Sequence, residues 1–478
     1  MKHPERVKQV FMTELASQLI ALKGVISVTF TGSFIEREGL GSISDIDVIV
    51  ITESLSSCLF NQCRDAASGI SPELLGLSDY RIHLNDTFGP LKYDEPGLVV
   101  IHLMVYDRAG HCEHVLKSPF TCLDWERSPY VTGPSLRVIY PVLTLQLRHF
   151  MDARRSLSNY MNDLAKGTLS YRKYEFTENG YSEKVCDMPL DARHQGEYAY
   201  HIVKNLLGNY AKFFLKKNEV LSDTALTDLW KQKLPESSQY VDWFLALTAI
   251  KRTRSAAFPT GTVDTARDFI AAFSADLRTV WTQKAVRHVF VRHGRTALND
   301  GSFLGQRRDP DIAELPGALP DMPVRVMCSP ALRCRSTAAA LAPNVACQVD
   351  NRLAEIDYGL AEGLRYSQLA ENFPHLVEAW ARGEDPHFPD GENTATVATR
   401  LQNFLEELGD VPTLVVTHNV VLRILVGGAL SLPSNVWHWI PVSHLEPIVI
   451  LRNEGMTYLD LTSEQTVRIT DAVAPYLS

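Results

Sequence analysis

A histidine flanked by two arginines is the strongest chemical signal in this sequence. Arg292 comes directly before His293, and Arg295 follows two positions later. The apolar stretch 286–291 predicts a strand, so the histidine stands at the strand's C-terminal end, where α/β folds place reactive groups. The two guanidinium groups should lower the pKa of the imidazole and hold the ring neutral, with a lone pair that can attack an anionic phosphoryl group. A surface cluster of Arg and His is the alternative at this level.

Further segments with chemically useful residues follow in chain order. They are Asn299, the stretch 329–338 with Arg333, the stretch 353–363 with Glu355, and the stretch 414–419 with His418. Together with 292–294, these five segments resemble the histidine phosphatase superfamily, also called the phosphoglycerate-mutase-like fold, from about 285 to 463. The resemblance implies a three-layer α/β/α domain at the C-terminus.

The resemblance also implies a role for each matched residue. His293 would attack the phosphorus in line and become a phosphohistidine, while Arg292, Arg333 and His418 would neutralise the equatorial oxygens. The residues expected to line the substrate site are Arg295, Thr296, Asn299 and Asn419, the last standing where many members have glycine.

Glu355 is the implied proton donor to the leaving alkoxide. Its pKa must then rise toward neutrality, through desolvation or through the nearby carboxylate of Asp357. The same glutamate would deprotonate the water that hydrolyses the phosphoenzyme, so this half is expected to need no cofactor. Transfer of the phosphate within or between substrates, as in a phosphomutase, is an alternative to hydrolysis.

A second pattern lies in the first hundred residues. The predicted strand 25–31 runs into Gly32 and Ser33, and twelve residues later Asp45 and Asp47 stand one residue apart on another predicted strand. Carboxylates at this spacing share one face and can hold divalent cations, and a Gly-Ser turn lets backbone amides approach a triphosphate. The pattern is similar to the polymerase-β-like nucleotidyltransferase superfamily, which implies a mixed-sheet fold, Mg²⁺ and a nucleoside triphosphate.

That family carries a third carboxylate on a neighbouring strand. The predicted strand 98–106 offers only His102 as a polar candidate, and as a neutral metal ligand it would leave the site one negative charge short. Other carboxylates that could reach the site are Asp86, Asp94, Glu95 and Asp107. If none does, the N-terminal half binds nucleotide without catalysis.

Length and periodicity predict a multidomain α/β protein. The 478 residues divide into a nucleotidyltransferase-like domain at 1–107, an α-helical bundle at 108–283 and the phosphatase domain at 284–478. Apolar residues at helical spacing predict the bundle's helices at 136–161, 195–217, 238–254 and 265–283.

Composition restricts the partners and the compartment. Hydrophobic residues make up 45% and charged residues 22%, and the net charge of −9 argues against a general nucleic-acid or membrane surface. The eight cysteines form no Cys-x-x-Cys pair and the N-terminus lacks an apolar signal segment, which predicts a cytoplasmic protein. The apolar region 413–433 is expected to be a strand and a buried helix. Nothing in the sequence indicates an oligomeric state.

Together these patterns predict a bifunctional enzyme. The front half would transfer a nucleotidyl group to a small acceptor, and the back half would remove phosphate from a small phosphorylated substrate. The alternative is a histidine phosphatase regulated by a catalytically inactive nucleotide-binding module.

Overall fold

The chain folds into two compact units. The computed structural model describes residues 3–36, 45–91, 97–178, 180–215, 221–253, 258–279, 285–319, 324–453 and 456–477. Backbone contacts divide the chain into a first unit, Met1–Thr279, and a second unit, Val280–Ser478. The first unit contains the domain predicted at 1–107 and all but the last four residues of the one predicted at 108–283.

A mixed five-stranded sheet organises the first unit. Its strands are β1 Val25–Thr31, β2 Ile46–Thr52, β3 Arg81–Asn85, β4 Leu98–Asp107 and β5 Val131–Thr132. They are ordered β3-β4-β2-β1-β5, with β2, β3 and β4 parallel and β1 antiparallel to both of its neighbours. Apolar side chains of β2 and β4 point alternately to two faces, so the sheet packs a hydrophobic core on each side.

Helices and one hairpin complete this unit. The helices are α1 His3–Ile20, α2 Ser33–Glu36, α3 Ser57–Gly69, α4 Arg108–Lys117, α5 Pro119–Glu126, α6 Leu136–Ile139, α7 His149–Asp152, α8 Leu157–Lys166, α9 Ala192–Leu215, α10 Asp223–Lys233, α11 Val241–Thr253 and α12 Thr262–Arg278. The hairpin consists of β6 Thr168–Thr177 and β7 Gly180–Pro189, paired antiparallel.

The predicted purely helical bundle at 108–283 is wrong in two places. The segment predicted as one helix at 136–161 forms three short helices, because Pro141 lacks an N–H and forces the preceding Tyr140 into an extended conformation. The region also contains the β6–β7 hairpin and the short strand β5, which joins the N-terminal sheet. The alternation of partly buried and exposed side chains along β6 is typical of a strand. We expected this segment to belong to the helical bundle because helical patterns precede and follow it.

A six-stranded sheet forms the centre of the second unit. Its strands are β8 Val286–Arg292, β9 Arg325–Cys328, β10 Cys347–Val349, β11 Thr413–Thr417, β12 Pro447–Asn453 and β13 Met456–Asp460, in the order β10-β9-β11-β8-β12-β13. The first four strands of that order are parallel, and β12 is antiparallel to both of its neighbours, β8 and β13. The helices are α13 Leu332–Leu341, α14 Tyr366–Asn372, α15 Pro374–Ala381, α16 Thr394–Glu407, α17 Asn419–Ala429 and α18 Ser463–Val473.

The register of the central strands decides where the reactive residues lie. In the pair β8–β11, Arg292 is directly opposite Thr417, so the residues that follow each strand emerge side by side. The predicted strand and helix at 413–433 correspond to β11 and α17. Within the described ranges, no helix has the length and apolar character needed to cross a membrane.

Candidate active sites

His293 is a buried, neutral imidazole with a defined tautomer. Its Nδ1 lies 2.7 Å from the carbonyl oxygen of Gly294, and since a carbonyl only accepts, Nδ1 carries the proton. The lone pair is therefore on Nε2. Burial, followed by Arg333 and Arg292, lowers the pKa of His293 to about 3, so the ring is unprotonated at neutral pH. The ring is neutral, as expected from the sequence, but burial is the main cause, and Arg333 acts in place of the expected Arg295.

Arg292 and Arg333 supply the positive charge beside this ring. Arg333 is almost completely buried and donates from Nη2 to the carbonyl oxygen of Gly305 at 2.8 Å, while Arg292 donates from Nη1 to that of Val442 at 2.9 Å. The Nε atom of each arginine is buried without a hydrogen-bond partner in the part of the chain that the structure describes. Because buried donors are normally satisfied, an anionic ligand is the natural acceptor for both.

His418 lies next to His293, with ring centroids 5.1 Å apart. It is fully buried, and its Nε2 lies 2.7 Å from Oγ of Ser329. Burial and the neighbouring cations hold the pKa of His418 well below its ordinary value. Without a ligand, His418 therefore contributes a hydrogen bond rather than the positive charge that we expected of it.

Glu355 has the environment of a proton donor. Its carboxyl group is buried and accepts hydrogen bonds from the backbone N–H groups of Ile356 at 3.0 Å and Val420 at 3.2 Å. Desolvation raises the pKa of Glu355 in spite of these donors and of the nearby arginines. Of the two causes considered from the sequence, burial dominates, because Asp357 instead accepts from the backbone N–H of Gly359 at 2.8 Å.

The residues expected at the substrate rim are placed less uniformly. Arg295 is exposed, whereas Thr296 is buried and donates its backbone N–H to Oδ1 of Asn299 at 2.8 Å. Asn299 therefore fixes the loop after β8, a structural role that the sequence prediction did not include. Asn419 is the first residue of α17, directly after His418.

His444 was missed by the sequence analysis. Its Nδ1 lies 2.7 Å from the carbonyl oxygen of His293, and the two rings are 5.3 Å apart. It lies 151 positions from His293 in no recognisable motif, so spacing gives no signal for it. Ser329, which fixes the ring of His418, was also not singled out.

The first unit brings the predicted metal ligands together. One ligand atom from each of Asp45, Asp47 and His102 lies within 4.8 Å of the other two. The register of β2 and β4 explains this, because Asp47 is directly opposite His102. Gly32 adopts φ +74°, and a Cβ there would come within 2.2 Å of Oδ2 of Asp47, so glycine is required for this carboxylate to lie where it does.

The contacts of His102 indicate what fits between it and Asp47. Its Nε2 lies 2.7 Å from the carbonyl oxygen of Thr87 and its Nδ1 lies 2.8 Å from Oδ1 of Asp47. Both partners are acceptors, so a neutral ring with one N–H cannot satisfy both. A second proton or a divalent cation between Nδ1 and the carboxylate resolves this. Two carboxylates and an imidazole suit Mn²⁺ as well as Mg²⁺, which favours oxygen ligands.

Two of the alternative carboxylates are occupied elsewhere. Asp86 forms an ion pair with Arg64 at 2.7 Å, and Asp107 caps α4 and accepts from Tyr181. Asp94 and Glu95 lie outside the described residues. Ser33 is half-buried at the start of α2, a helix of only four residues.

The second unit has recognisable relatives. Residues 288–464 match the histidine phosphatase superfamily, branch 1. The chain is similar to 6-phosphofructo-2-kinase/fructose-2,6-bisphosphatase from Caenorhabditis elegans, with 33% identity over 115 residues, covering 24% of each protein. It is similar to glucosyl-3-phosphoglycerate phosphatase from Mycobacterium tuberculosis, with 27% identity over 206 residues, covering 34% of this chain and 92% of that protein.

Among solved structures, the chain is similar to a mycobacterial glucosyl-3-phosphoglycerate phosphatase with 25% identity. The match covers 38% of this chain and 99% of that chain, with a TM-score of 0.33. The chain spans about a quarter of the length of the nematode relative. The family match confirms the phosphoglycerate-mutase-like fold predicted for this half. The C-terminal half of the chain carries a domain of the histidine phosphatase superfamily.

Proposed function

We propose that the second unit hydrolyses small phosphomonoesters through a phosphohistidine at Nε2 of His293. The observation that carries this proposal is the tautomer of the ring, whose Nδ1–H donates to Gly294 and leaves the Nε2 lone pair available. The two unpartnered Nε atoms of Arg292 and Arg333 support it, since each can donate to a phosphoryl oxygen. Two guanidinium charges match the two negative charges of a phosphomonoester.

The reaction proceeds in two balanced steps. In the first, Nε2 of His293 bonds to phosphorus as the bond to the leaving oxygen breaks, and Glu355 protonates that oxygen. In the second, Glu355 accepts a proton from water as the water oxygen attacks phosphorus and the N–P bond breaks. Inorganic phosphate leaves, and both side chains return to their starting states. No metal enters either step.

The names of the relatives favour a small phosphorylated metabolite as substrate. A panel of sugar phosphates, glycerate phosphates and amino-acid phosphates with the full chain tests this, with released inorganic phosphate as readout. Phosphate release without metal supports hydrolysis. An isomerised phosphoester without free phosphate would identify a phosphomutase instead.

The pH profile of the phosphatase is expected to be controlled by Glu355. His293 must be unprotonated, and because its pKa is about 3 it is ready to attack throughout the neutral range. Glu355 must be protonated to donate, and its raised pKa extends the protonated form above the ordinary range. Activity on an alkyl phosphate should therefore fall as pH rises through the pKa of Glu355. Measurement of kcat/KM between pH 4 and pH 9, corrected for substrate ionisation, checks this. A steep acid limb near pH 6.5 would contradict it.

For the first unit we propose a divalent-cation site at Asp45, Asp47 and His102, with Mg²⁺-dependent nucleotidyl transfer to a small acceptor as its candidate activity. The three converging ligand atoms support the cation site. His102 in place of a carboxylate favours the alternative, a nucleotide-binding module without catalysis that regulates the phosphatase. Pyrophosphate release from a nucleoside triphosphate separates the two, since the regulatory module binds nucleotide and releases none.

Gly32→Ala should weaken cation binding at this site. The new Cβ would lie 2.2 Å from Oδ2 of Asp47 and displace that carboxylate. Gly76→Ala is the matched control, because Gly76 has φ +72° and a Cβ there meets nothing within 4 Å. Mn²⁺ titration followed by electron paramagnetic resonance should show at least a tenfold loss of affinity for Gly32→Ala and for Asp47→Asn. Equal affinities in Gly32→Ala and Gly76→Ala would refute the site.

A further inference from the structure

We propose that a cavity in the first unit binds a small molecule that carries a phosphate group. The enclosed part of the cavity measures about 20 Å³, the space of roughly one water molecule or one phosphate oxygen, and the rest of it is open to solvent. Three arginines, Arg154, Arg155 and Arg172, line it together with His114 and Trp125. The inference requires no catalysis in either unit and is independent of the phosphatase proposal.

The charges around the cavity do not cancel. Arg154 forms a bidentate contact with Glu183, and Nε of Arg172 lies 3.4 Å from the same carboxylate. Arg155 forms no ion pair with the part of the chain that the structure describes. Three guanidinium groups against one carboxylate leave two positive charges, the complement of a phosphomonoester dianion.

Buried donors around the cavity also lack partners. The Nδ1 of His114 lies 3.1 Å from Nη1 of Arg154 and accepts from it, which places the proton of the neutral ring on Nε2. That Nε2 and Oγ of Ser118 are buried without a hydrogen-bond partner among the described residues, and Nε of Arg172 has only the 3.4 Å ion-pair contact with Glu183. Buried polar groups without partners are uncommon and often indicate an absent ligand or ion. Burial and the arginines hold the pKa of His114 well below its ordinary value, so the ring donates without adding charge.

Flat rings form another wall of the cavity. His114 stacks on Trp125, with centroids 5.0 Å apart and planes inclined by 17°, and the ring of Tyr106 packs against both, 5.0 Å from His114 and 6.3 Å from Trp125. The cavity therefore combines an apolar aromatic surface with a cationic end, which suits a phosphate attached to a small organic body.

The backbone that carries two of the arginines is held in a strained conformation. Arg155 has φ +57°, in the left-handed region that is costly for a residue with a side chain. The N–H of Arg154 donates to the carbonyl oxygen of Lys117 at 2.7 Å, and the carbonyl of Arg155 accepts from Asn205 at 3.2 Å. These bonds fix the turn and direct adjacent arginines to one cavity.

The cavity adjoins the proposed cation site through one residue. His102 lines the cavity and also contacts Asp47. If the nucleotidyl-transfer proposal holds, the phosphorylated ligand is placed as the acceptor. If it fails, the cavity remains a binding site, and the experiment below measures binding alone.

Calorimetric titration of the full chain with phenylphosphonate, which phosphatases do not hydrolyse, tests the proposal. EDTA in the buffer excludes binding through a metal. We expect two sites in the unmodified protein, one in each unit. Arg155→Gln and Arg172→Gln should each remove one site or weaken it at least tenfold, while Arg292→Gln should affect only the other. Arg148→Gln is the matched control, since Arg148 pairs with Asp152 at 3.7 Å and does not line the cavity.

Arg155→Gln keeps the test valid if Arg172→Gln does not fold. Arg172 contacts Glu183 in the hairpin, whereas Arg155 does not. Binding that is unchanged in both cavity variants overturns the proposal. Phthalate, a flat dianion without phosphorus, separates phosphate recognition from charge alone, and equally tight binding of phthalate at this site would also overturn it. If the unmodified protein shows the cavity site but no Arg292-dependent site, that result would count against the phosphatase proposal and leave the cavity proposal standing.

Discussion

His293→Ala is expected to lower kcat for phosphomonoester hydrolysis by roughly 10⁴-fold or more, as for other enzymes that lose a covalent nucleophile. The variant retains both arginines, so substrate should still bind, and KM should change far less than kcat. No phosphoenzyme should form. An acid quench is unsuitable because phosphohistidine is acid-labile. The measurement is therefore ³¹P NMR of the protein quenched in alkali.

His375→Ala is the matched control for this variant. His375 is exposed on α15 in the same unit, and it should leave kcat within about twofold of the unmodified protein. Circular dichroism should show both variants folded. Hydrolysis that persists in His293→Ala at the original rate would exclude His293 as the nucleophile, and with it the two-step reaction.

The grouping of the phosphatase residues was predictable because strand ends carry them. His293 and His418 each follow a parallel strand, and the neighbouring pairing of β8 and β11 brings the two rings together. The local pattern of an apolar strand followed by a reactive residue was therefore enough to predict that these side chains lie close together. The protonation state of His418 was not predictable in this way, because it depends on complete burial.

The metal cluster shows the same dependence on register. Asp45 and Asp47 share a strand, so their common face follows from alternation alone. Asp47 and His102 are 55 positions apart, and their pairing can be predicted only when the order of the strands is known. The sequence offered His102 as a third metal ligand alongside several carboxylates, and the geometry distinguished it from Asp86 and Asp107.

The arginine cavity lay beyond sequence reasoning. Arg154 and Arg155 follow the short helix α7, whereas Arg172 lies on the hairpin strand β6, and His114 lies on α4. The sequence prediction assigned the first two to a continuous helix and the third to a helical bundle. Since neither the break at Pro141 nor the hairpin was recognised, no spacing rule placed these side chains together.

Both proposed phosphate sites contain buried polar donor atoms without hydrogen-bond partners among the described residues, but the sites differ in what surrounds those atoms. Around His293 the arginines lie beside a neutral imidazole and a buried carboxyl whose pKa is raised by desolvation, which is the arrangement that the proposed hydrolysis requires. Around Arg172 the neighbouring imidazole of His114 accepts a hydrogen bond from Arg154 and stacks on Trp125, which allows binding without a nucleophile in place. Recognition of phosphate is therefore proposed for both units, whereas hydrolysis through a covalent phosphoenzyme is expected only in the second.

Glu355→Gln should separate the two steps of the phosphatase reaction. The amide cannot donate a proton as an acid, so kcat for an alkyl phosphate should fall by roughly 10²- to 10⁴-fold. 4-Nitrophenyl phosphate has a leaving group that departs without protonation, and phosphoenzyme formation from it should be much less affected. The second step still lacks its base. Stopped-flow measurement should therefore show a burst of nitrophenolate close to one equivalent of protein, followed by slow turnover.

Glu371→Gln, on the exposed surface of α14, is the control and should show neither the burst nor the loss. The basic limb of the pH profile should also disappear in Glu355→Gln, because the group whose deprotonation causes it is gone. Desolvation raises the pKa of the Glu355 carboxyl. Glutamine keeps the shape of this side chain but has no acidic proton, so Glu355→Gln isolates the contribution of proton donation. Equal losses on the alkyl and nitrophenyl substrates, without a burst, would assign proton donation to another residue.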